Sequence, residues 1–355
     1  MEPIQIQHMD LKQIANSGQC FFWNKIEDNK YGIEAFGRYL EAEQNGSQFL
    51  FSCTRQEFEG LWADYFDLGR DYGALKERID PEDGYLQAAA RYGGGIRVLR
   101  QDLWEVAVSF LISQNNNISR IKASLRRLCR SYGERRPCLG AGSDGEKAAA
   151  ESLREAAAGR AADGGDMTER ETAAGRAADG GDMTEREAAA GRAADGGGMT
   201  EREAAAGRAV GGSGWGEALY YTFPGPDRLA MASVEELKEL GLGYRAKYLA
   251  ALANRLKKGG LFRLNQALRE AGDEEAREIL MSYYGIGRKV ADCICLFGLQ
   301  REDMFPVDTH IKKILAAHYP RGFPYERYRG SLGILQQYMF YYDLMGGPPP
   351  EEPPR

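Results

Sequence analysis

The chain has 355 residues, 43% of them hydrophobic and 28% charged. This ordinary globular usage excludes a wholly disordered chain, a collagen or a coiled-coil rod and leaves room for two or three domains. The net charge of −6 is confined to one stretch: residues 139–216 hold nine Lys and Arg against fifteen Asp and Glu, which leaves the rest neutral, and residues 241–321 hold fourteen basic and nine acidic residues.

From the N-terminus, MEPIQIQHMDLKQ has neither a basic n-region nor an apolar h-region, so no secretory signal is expected. No run approaches the ~18 apolar residues of a membrane-spanning helix. Residues 1–90 alternate strand patterns, GQCFFWNKI and QFLFSCT, with helix-like runs such as EFEGLWADYF, and predict a small α+β unit. Residues 91–138 and 217–345 carry amphipathic helix patterns, among them DLWEVAVSFLISQ, ISRIKASLRRLC, SVEELKELG, RAKYLAALANRLKK and THIKKILAAHY. The six cysteines, at 20, 53, 129, 138, 293 and 295, form no CxxC framework, and a reduced, cytoplasmic setting is expected.

Between the two helical stretches lies a different kind of sequence. REAAAGRAADGGDMTE from Arg154 returns at Arg170, at Arg186 and, decaying, at Arg202, a period of 16 residues. Solenoid units repeat at ~20–50 residues and offer an apolar face to bury. Here, from Glu155 to Arg208, nothing apolar is larger than Met. Such a segment cannot offset its ordering entropy, and residues 139–216 are expected to be a disordered, low-complexity insert. The Pro-rich tail, 346–355, is expected to be disordered as well.

The chemistry is concentrated in EAREILMSYYGIGRKVADCICLFGLQREDMFPVDTHIKKIL. One helix pattern ends at Tyr284, Gly285-Ile286-Gly287 makes a tight turn, and a second helix follows. The glycines let backbone approach a ligand closely, and the exposed N–H groups of the following helix favour an anion. No nucleotide-binding strand precedes the turn, so this is no dinucleotide fingerprint; a helix-hairpin-helix gripping a DNA phosphate fits. A plain helix–turn–helix connection would read the same way. Lys289, beside Arg288 at a positive helix end, is placed as a nucleophile, though a solvated lysine has the same local pattern. Asp308, in Phe305-Pro306-Val307-Asp308-Thr309-His310, stands where an N-cap would stand.

Together these motifs resemble the helix-hairpin-helix, Gly/Pro…Asp superfamily of DNA glycosylases, and in detail its 8-oxoguanine glycosylase/lyase branch. The similarity rests on YGIGRKVADCICLFGL and MFPVDTHIKKIL, with SGQCFFW, SQNNNISRI, GLGYRAKY and GILQQYMFYYDL in the right order. The iron–sulfur branches need four spaced cysteines after the Asp loop, whereas no Cys follows Cys295. The resemblance implies a small N-terminal antiparallel-sheet domain followed by a mainly α-helical catalytic domain that the insert interrupts. It implies base-excision repair: removal of 8-oxoguanine from duplex DNA, preferably opposite cytosine, through a lysine Schiff base, with strand nicking by β-elimination. The expected partner is double-stranded DNA containing oxidised guanine; no cofactor, no metal and no membrane are expected, and the protein is expected to be a monomer.

Residue by residue, the resemblance makes Lys289 the nucleophile and Asp308 the carboxylate that supports it. Gly18 matches the glycine whose carbonyl accepts the N7 hydrogen found only on the oxidised base. Gln336 matches the edge reader, Phe340 the stacking ring, and Cys293 the opposite pocket wall. Asn115 matches the residue that fills the hole left by the flipped base, Arg120 and Arg245 the readers of the orphaned cytosine, and Tyr244 the wedge. Gly285, Gly287 and His310 match phosphate-gripping positions. Phe297 departs from the smaller or more flexible pocket residue of the family and would tighten the base site. Two alternatives remain: a superfamily glycosylase for other damaged bases, which generally lacks the lysine when it works by hydrolysis alone, and a non-catalytic helix-hairpin-helix module, which would need neither Lys289 nor Asp308.

Overall fold

The computed structural model describes residues 1–138 and 219–348. The expected repeat insert, and the tail from residue 349 onward, lie outside the described residues.

Five strands form an antiparallel sheet in the order β1-β5-β4-β3-β2. They are β1 (Ile4–Gln5), β2 (Trp23–Glu27), β3 (Lys30–Ala35), β4 (Arg38–Asn45) and β5 (Gln48–Phe51). The central pair is registered by Ile33 opposite Leu40 and Tyr31 opposite Ala42. With the two-residue period of a strand, this sends Ile33, Leu40, Ala42, Phe49 and Phe51 to one buried face. Helix α1 (Leu11–Asn16), capped by Asp10, and the helical run over 55–65 supply Ile14, Phe58 and Trp62 to the same core.

The principal helices that follow are α2 (Gly84–Tyr92), α3 (Leu103–Ser113), α4 (Ile118–Tyr132), α5 (Arg245–Leu256), α6 (Gly260–Glu270), α7 (Asp273–Met281), α8 (Arg288–Leu299), α9 (Thr309–His318) and α10 (Leu332–Leu344). Helix α3 is apolar on all sides and almost wholly buried, so it sits at the centre of the helical body. Helix α8 packs along it, with Phe297 stacked on Phe110 at 5.3 Å between ring centroids. The apolar residues of 72–90, grouped with the sheet by their position in the sequence, pack into this helical core instead: Tyr72, Leu86 and Ala89 are buried there beside Tyr338 and Met339.

A two-stranded ladder, β6 (Arg135–Pro137) with β7 (Leu219–Tyr221), pairs Arg136 with Tyr220. The described residues on either side of the repeat segment are therefore paired with each other, β7 lying beside β6 directly after α4.

The joint between the sheet region and the helical body is a polar cluster around Asp67, which is 4% exposed. Its carboxylate accepts from Arg70 Nε at 2.8 Å, from Arg100 Nη2 at 2.7 Å and from the Tyr72 hydroxyl at 3.0 Å. Arg70 also donates to Glu302 at 2.8 Å, beyond the end of α8. Removing one partner from a buried charge cluster costs more than the cluster's net contribution, because the remaining groups keep their desolvation penalty. Asp67→Ala is therefore expected to lower unfolding stability by about 3 kcal/mol, and Asp67→Asn by less, as measured by urea denaturation. A loss below about 1 kcal/mol for Asp67→Ala would mean that solvent replaces the carboxylate at this joint.

Candidate active site

The hairpin turn joins α7 to α8, with α7 ending at Met281, three residues before the point the sequence pattern suggested. Gly285 takes φ +89°, and a Cβ there would lie 2.4 Å from the Tyr248 ring, so both conformation and space require glycine. Gly287 is in extended backbone, and a Cβ there would meet no protein atom. It heads α8 with no side-chain cap, so the first N–H groups of the helix face outward at its positive end.

Lys289 lies in the first turn of α8, half-buried, with Nζ 5.2 Å from the centre of the Phe110 ring. One turn further along, the Cys293 thiol is buried and within electrostatic reach of both Lys289 and Asp308. Burial pushes this thiol up to about 11, with Lys289 opposing the shift, so it stays protonated at neutral pH. Asp308 caps α9, accepting from Ile311 N at 2.9 Å through Oδ1. A cap uses one carboxylate oxygen and leaves the other for a ligand. Amine and carboxylate thus both act on the buried thiol that lies one turn after Lys289.

The remaining pocket residues come from three segments distant in sequence. Gly18, at φ +75°, faces the Phe340 ring so closely that a Cβ would lie 3.0 Å from Phe340 Cε1. The loop is pinned by Gln19, whose amide donates to Ser17 Oγ at 2.8 Å and Arg97 O at 3.0 Å and accepts from Leu99 N at 2.8 Å. Gln336, 3% exposed, donates to Pro306 O at 3.2 Å, which ties α10 to the loop that carries Asp308. His310 packs edge-on against Phe340, and its Nδ1 lies 2.5 Å from Asp343 Oδ2. Phe297 is buried and stacks on Phe110, the same ring that lies beside the Lys289 amine.

A second cluster surrounds the end of α3. Asn115, exposed and at φ +46°, turns the chain off the helix, and Asn117 caps α4 by accepting from Arg120 N at 2.9 Å. Arg120 itself is exposed. The exposed Tyr244 hydroxyl lies 3.4 Å from Asn115 Nδ2. Arg245 departs from the picture of a freely presented reader: it is 8% exposed, and its guanidinium donates through Nε to Gln114 O at 2.7 Å and through Nη2 to Asn115 O at 2.8 Å. Carbonyls at the end of a helix are natural partners for a cation.

Four residues of evident importance here have no clear mark in the sequence. Phe110 underlies Lys289, Tyr248 packs on Gly285, Asp343 holds His310, and Gln114 joins the hairpin to the Asn loop. Only the polar pair Ser113-Gln114 closing an apolar helix hints at Gln114.

Two family models match the chain: 8-oxoguanine DNA glycosylase, N-terminal domain, over residues 3–106, and HhH-GPD superfamily base excision DNA repair protein, over residues 208–322. The N-glycosylase/DNA lyase of Saccharomyces cerevisiae is 28% identical over 339 residues, covering 87% of this chain and 68% of the yeast protein. A solved structure of MBOgg1 with a low-affinity DNA ligand is 31% identical, with a TM-score of 0.68 over 97% of this chain and 96% of that one. The Clostridium acetobutylicum 8-oxoguanine glycosylase/lyase, solved with double-stranded DNA containing cytosine opposite 8-oxoG, is 26% identical with a TM-score of 0.68 over 98% of each chain.

The cap geometry separates the two duties of Asp308. Asn caps a helix about as well as Asp, whereas Ala loses about 1 kcal/mol. Asp308→Ala is expected to lower stability by that amount and Asp308→Asn to leave it within a few tenths, read by chemical denaturation; equal losses would show that the negative charge, not the cap, holds α9 in place.

Proposed function

The chain belongs to the 8-oxoguanine DNA glycosylase family of the helix-hairpin-helix base excision repair superfamily, and from that premise we propose that it removes 8-oxoguanine from duplex DNA, preferably opposite cytosine, and nicks the strand through a Schiff base on Lys289. The observation that carries this reading is that Lys289, in the first turn after the hairpin, and Asp308, at the head of α9, both lie within electrostatic reach of the buried Cys293 thiol.

Chemistry on a stacked base requires that the nucleotide leave the duplex. The hairpin's outward N–H groups, with Gly287 leaving room for close approach, grip a phosphate near the lesion. Tyr244 and Asn115 occupy the gap, and Arg120 and Arg245 donate to N3 and O2 of the orphaned cytosine. For Arg245 this means exchanging the two backbone carbonyls for the base. The flipped purine enters between Phe340 and Cys293, stacks on the ring, and offers its N7 hydrogen to the Gly18 carbonyl at the edge of the site. Guanine has no hydrogen there and would leave that carbonyl facing a lone pair. Gln336 reads the Watson–Crick edge, and Cys293 forms the far wall.

The Lys289 nitrogen then bonds to C1′ as the glycosidic bond breaks, its electron pair leaving with the base. Positive charge developing on the sugar is stabilised by the Asp308 carboxylate, preorganised by its place at the head of α9. Ring opening gives an imine between Lys289 and C1′. Loss of a C2′ proton then expels the 3′ phosphate by β-elimination. The protein acts as a monomer on double-stranded DNA with oxidised guanine; among the described residues no helix is long and apolar enough to cross a membrane.

Single-turnover excision from duplexes that differ only in the base facing the lesion tests this reading. Wild type is expected to favour cytosine over adenine, and Arg120→Ala to shrink that preference by roughly tenfold to a hundredfold, the size of a matched polar contact to a base. Lys289→Gln is expected to lose more than about a thousandfold in excision while still binding duplex. Equal rates opposite cytosine and adenine in wild type would place these arginines on phosphate or solvent, and substantial excision by Lys289→Gln would remove the covalent step.

A further inference from the structure

We propose that Gln114 is a positioning residue that couples recognition of the base opposite the lesion to the placement of Lys289; this rests on the lesion-excising function given above.

Gln114 is the last residue of the α3 pattern, and it faces two ways. Its side-chain nitrogen donates to Leu111 O at 3.1 Å and across to Gly285 O at 2.9 Å. Both partners are carbonyls, so both amide hydrogens are consumed and the orientation of the amide is fixed by chemistry. Leu111 is in the preceding turn of Gln114's own helix, so the amide is braced against α3 while it holds the hairpin. The backbone carbonyl of the same residue accepts from Arg245 Nε and from Arg245 Nη2, and the Tyr244 hydroxyl lies 3.4 Å from it. One residue therefore touches all three DNA-reading segments: it precedes Asn115, it receives Arg245 and Tyr244, and it fixes the Gly285 carbonyl.

That carbonyl lies four residues before Lys289, at the turn that sets where α8 begins. Gly285 is already confined on its other side by the Tyr248 ring, so the turn is clamped between Gln114 and Tyr248. When Arg245 turns to a base opposite the lesion, it releases the carbonyls of Gln114 and Asn115. The Gln114 peptide then relaxes, and its side chain carries the change to Gly285 and hence to the start of α8. Reaction rates depend steeply on placement at the ångström level, so a small shift at Gly285 is felt at the amine. The coupling runs through a continuous set of hydrogen bonds, with two states at Arg245: held by the chain or bound to a base.

The test uses the full-length chain and single-turnover excision of 8-oxoguanine opposite cytosine and opposite adenine, for wild type, Gln114→Ala and Gln114→Glu. Loss of the bridging hydrogen bond is expected to slow Gln114→Ala about tenfold opposite cytosine but under about threefold opposite adenine, so the ratio of the two rates narrows. Gln114→Glu keeps the shape but, when ionised, has no hydrogen to donate and faces two carbonyls; it is expected to be at least as slow as Gln114→Ala at pH about 8. Its rate relative to wild type is expected to rise as the pH falls toward about 5.5, because the protonated acid regains one donor. A merely structural role would slow both substrates equally, so the ratio of the two rates separates the readings, while the pH response shows that the donated hydrogen is what matters. The coupling is overturned by unchanged rates in both variants, by equal losses opposite both bases, by a flat Gln114→Glu to wild-type ratio across pH, or by a wild type indifferent to the opposite base. A wild type that leaves 8-oxoguanine intact overturns the function itself, and the inference with it, and is read from the wild-type reactions alone.

Discussion

The antiparallel packing of α8 on α3 is the constraint from which the site follows. At one end, Gly298 of α8 lies against Leu103, where a Cβ would come within 3.2 Å of the Leu103 Cα. From that same end of α8, Phe297 stacks on Phe110 of α3. At the other end, Gln114 reaches Gly285. Because the pair is fixed at both ends, Lys289 is delivered to one point over the Phe110 ring. Interiors packed at this density deform little, so a nucleophile on such a helix is held far more precisely than one on a free loop. The wider body serves that geometry: α10 ties Gln336 to Pro306, and Pro306 precedes the cap that orients Asp308.

Electrostatics divide the site into two unlike halves. The hairpin side offers helix N–H groups and exposed cations to a phosphate backbone, which gives affinity that is long-ranged, salt-dependent and indifferent to sequence. The pocket side is mostly apolar, with a few polar atoms held by second partners, as Gln19 holds the Gly18 loop and Asp343 holds His310. Selectivity of the kind needed here, one hydrogen on N7, can only come from that second half, since an unpaired buried acceptor costs more than a phosphate contact contributes.

Much of this was legible in the sequence because it depends on local backbone requirements. The turn Gly285-Ile286-Gly287, the cap at Asp308 and the apolar run of α3 each leave a short-range mark, and the structure places them as expected. The repeat segment, expected from composition to be a disordered insert, lies outside the described residues. What could not be read locally depends on side chains meeting across the fold. Gln114 and Gly285 are 171 residues apart; Tyr248 packs on the hairpin from another helix; and His310 meets Asp343 only because α9 lies along α10. The sequence pattern also treated Gly285 and Gly287 alike, although only Gly285 needs a positive φ, and it grouped residues 72–90 with the sheet because proximity in the chain says nothing about which core a helix joins. Arg245 marks the opposite limit: its residue type was readable, but its burial against the α3 carbonyls was not.

The central claim is that Lys289, delivered by the α3–α8 pair, forms a covalent bond to the sugar of the lesion. The direct measurement is borohydride reduction of the full-length protein on a duplex carrying 8-oxoguanine opposite cytosine, followed by peptide mapping of the trapped product. The account predicts one adduct, on Lys289. Excision without any trapped adduct, or an adduct mapped to a different amine, would contradict it.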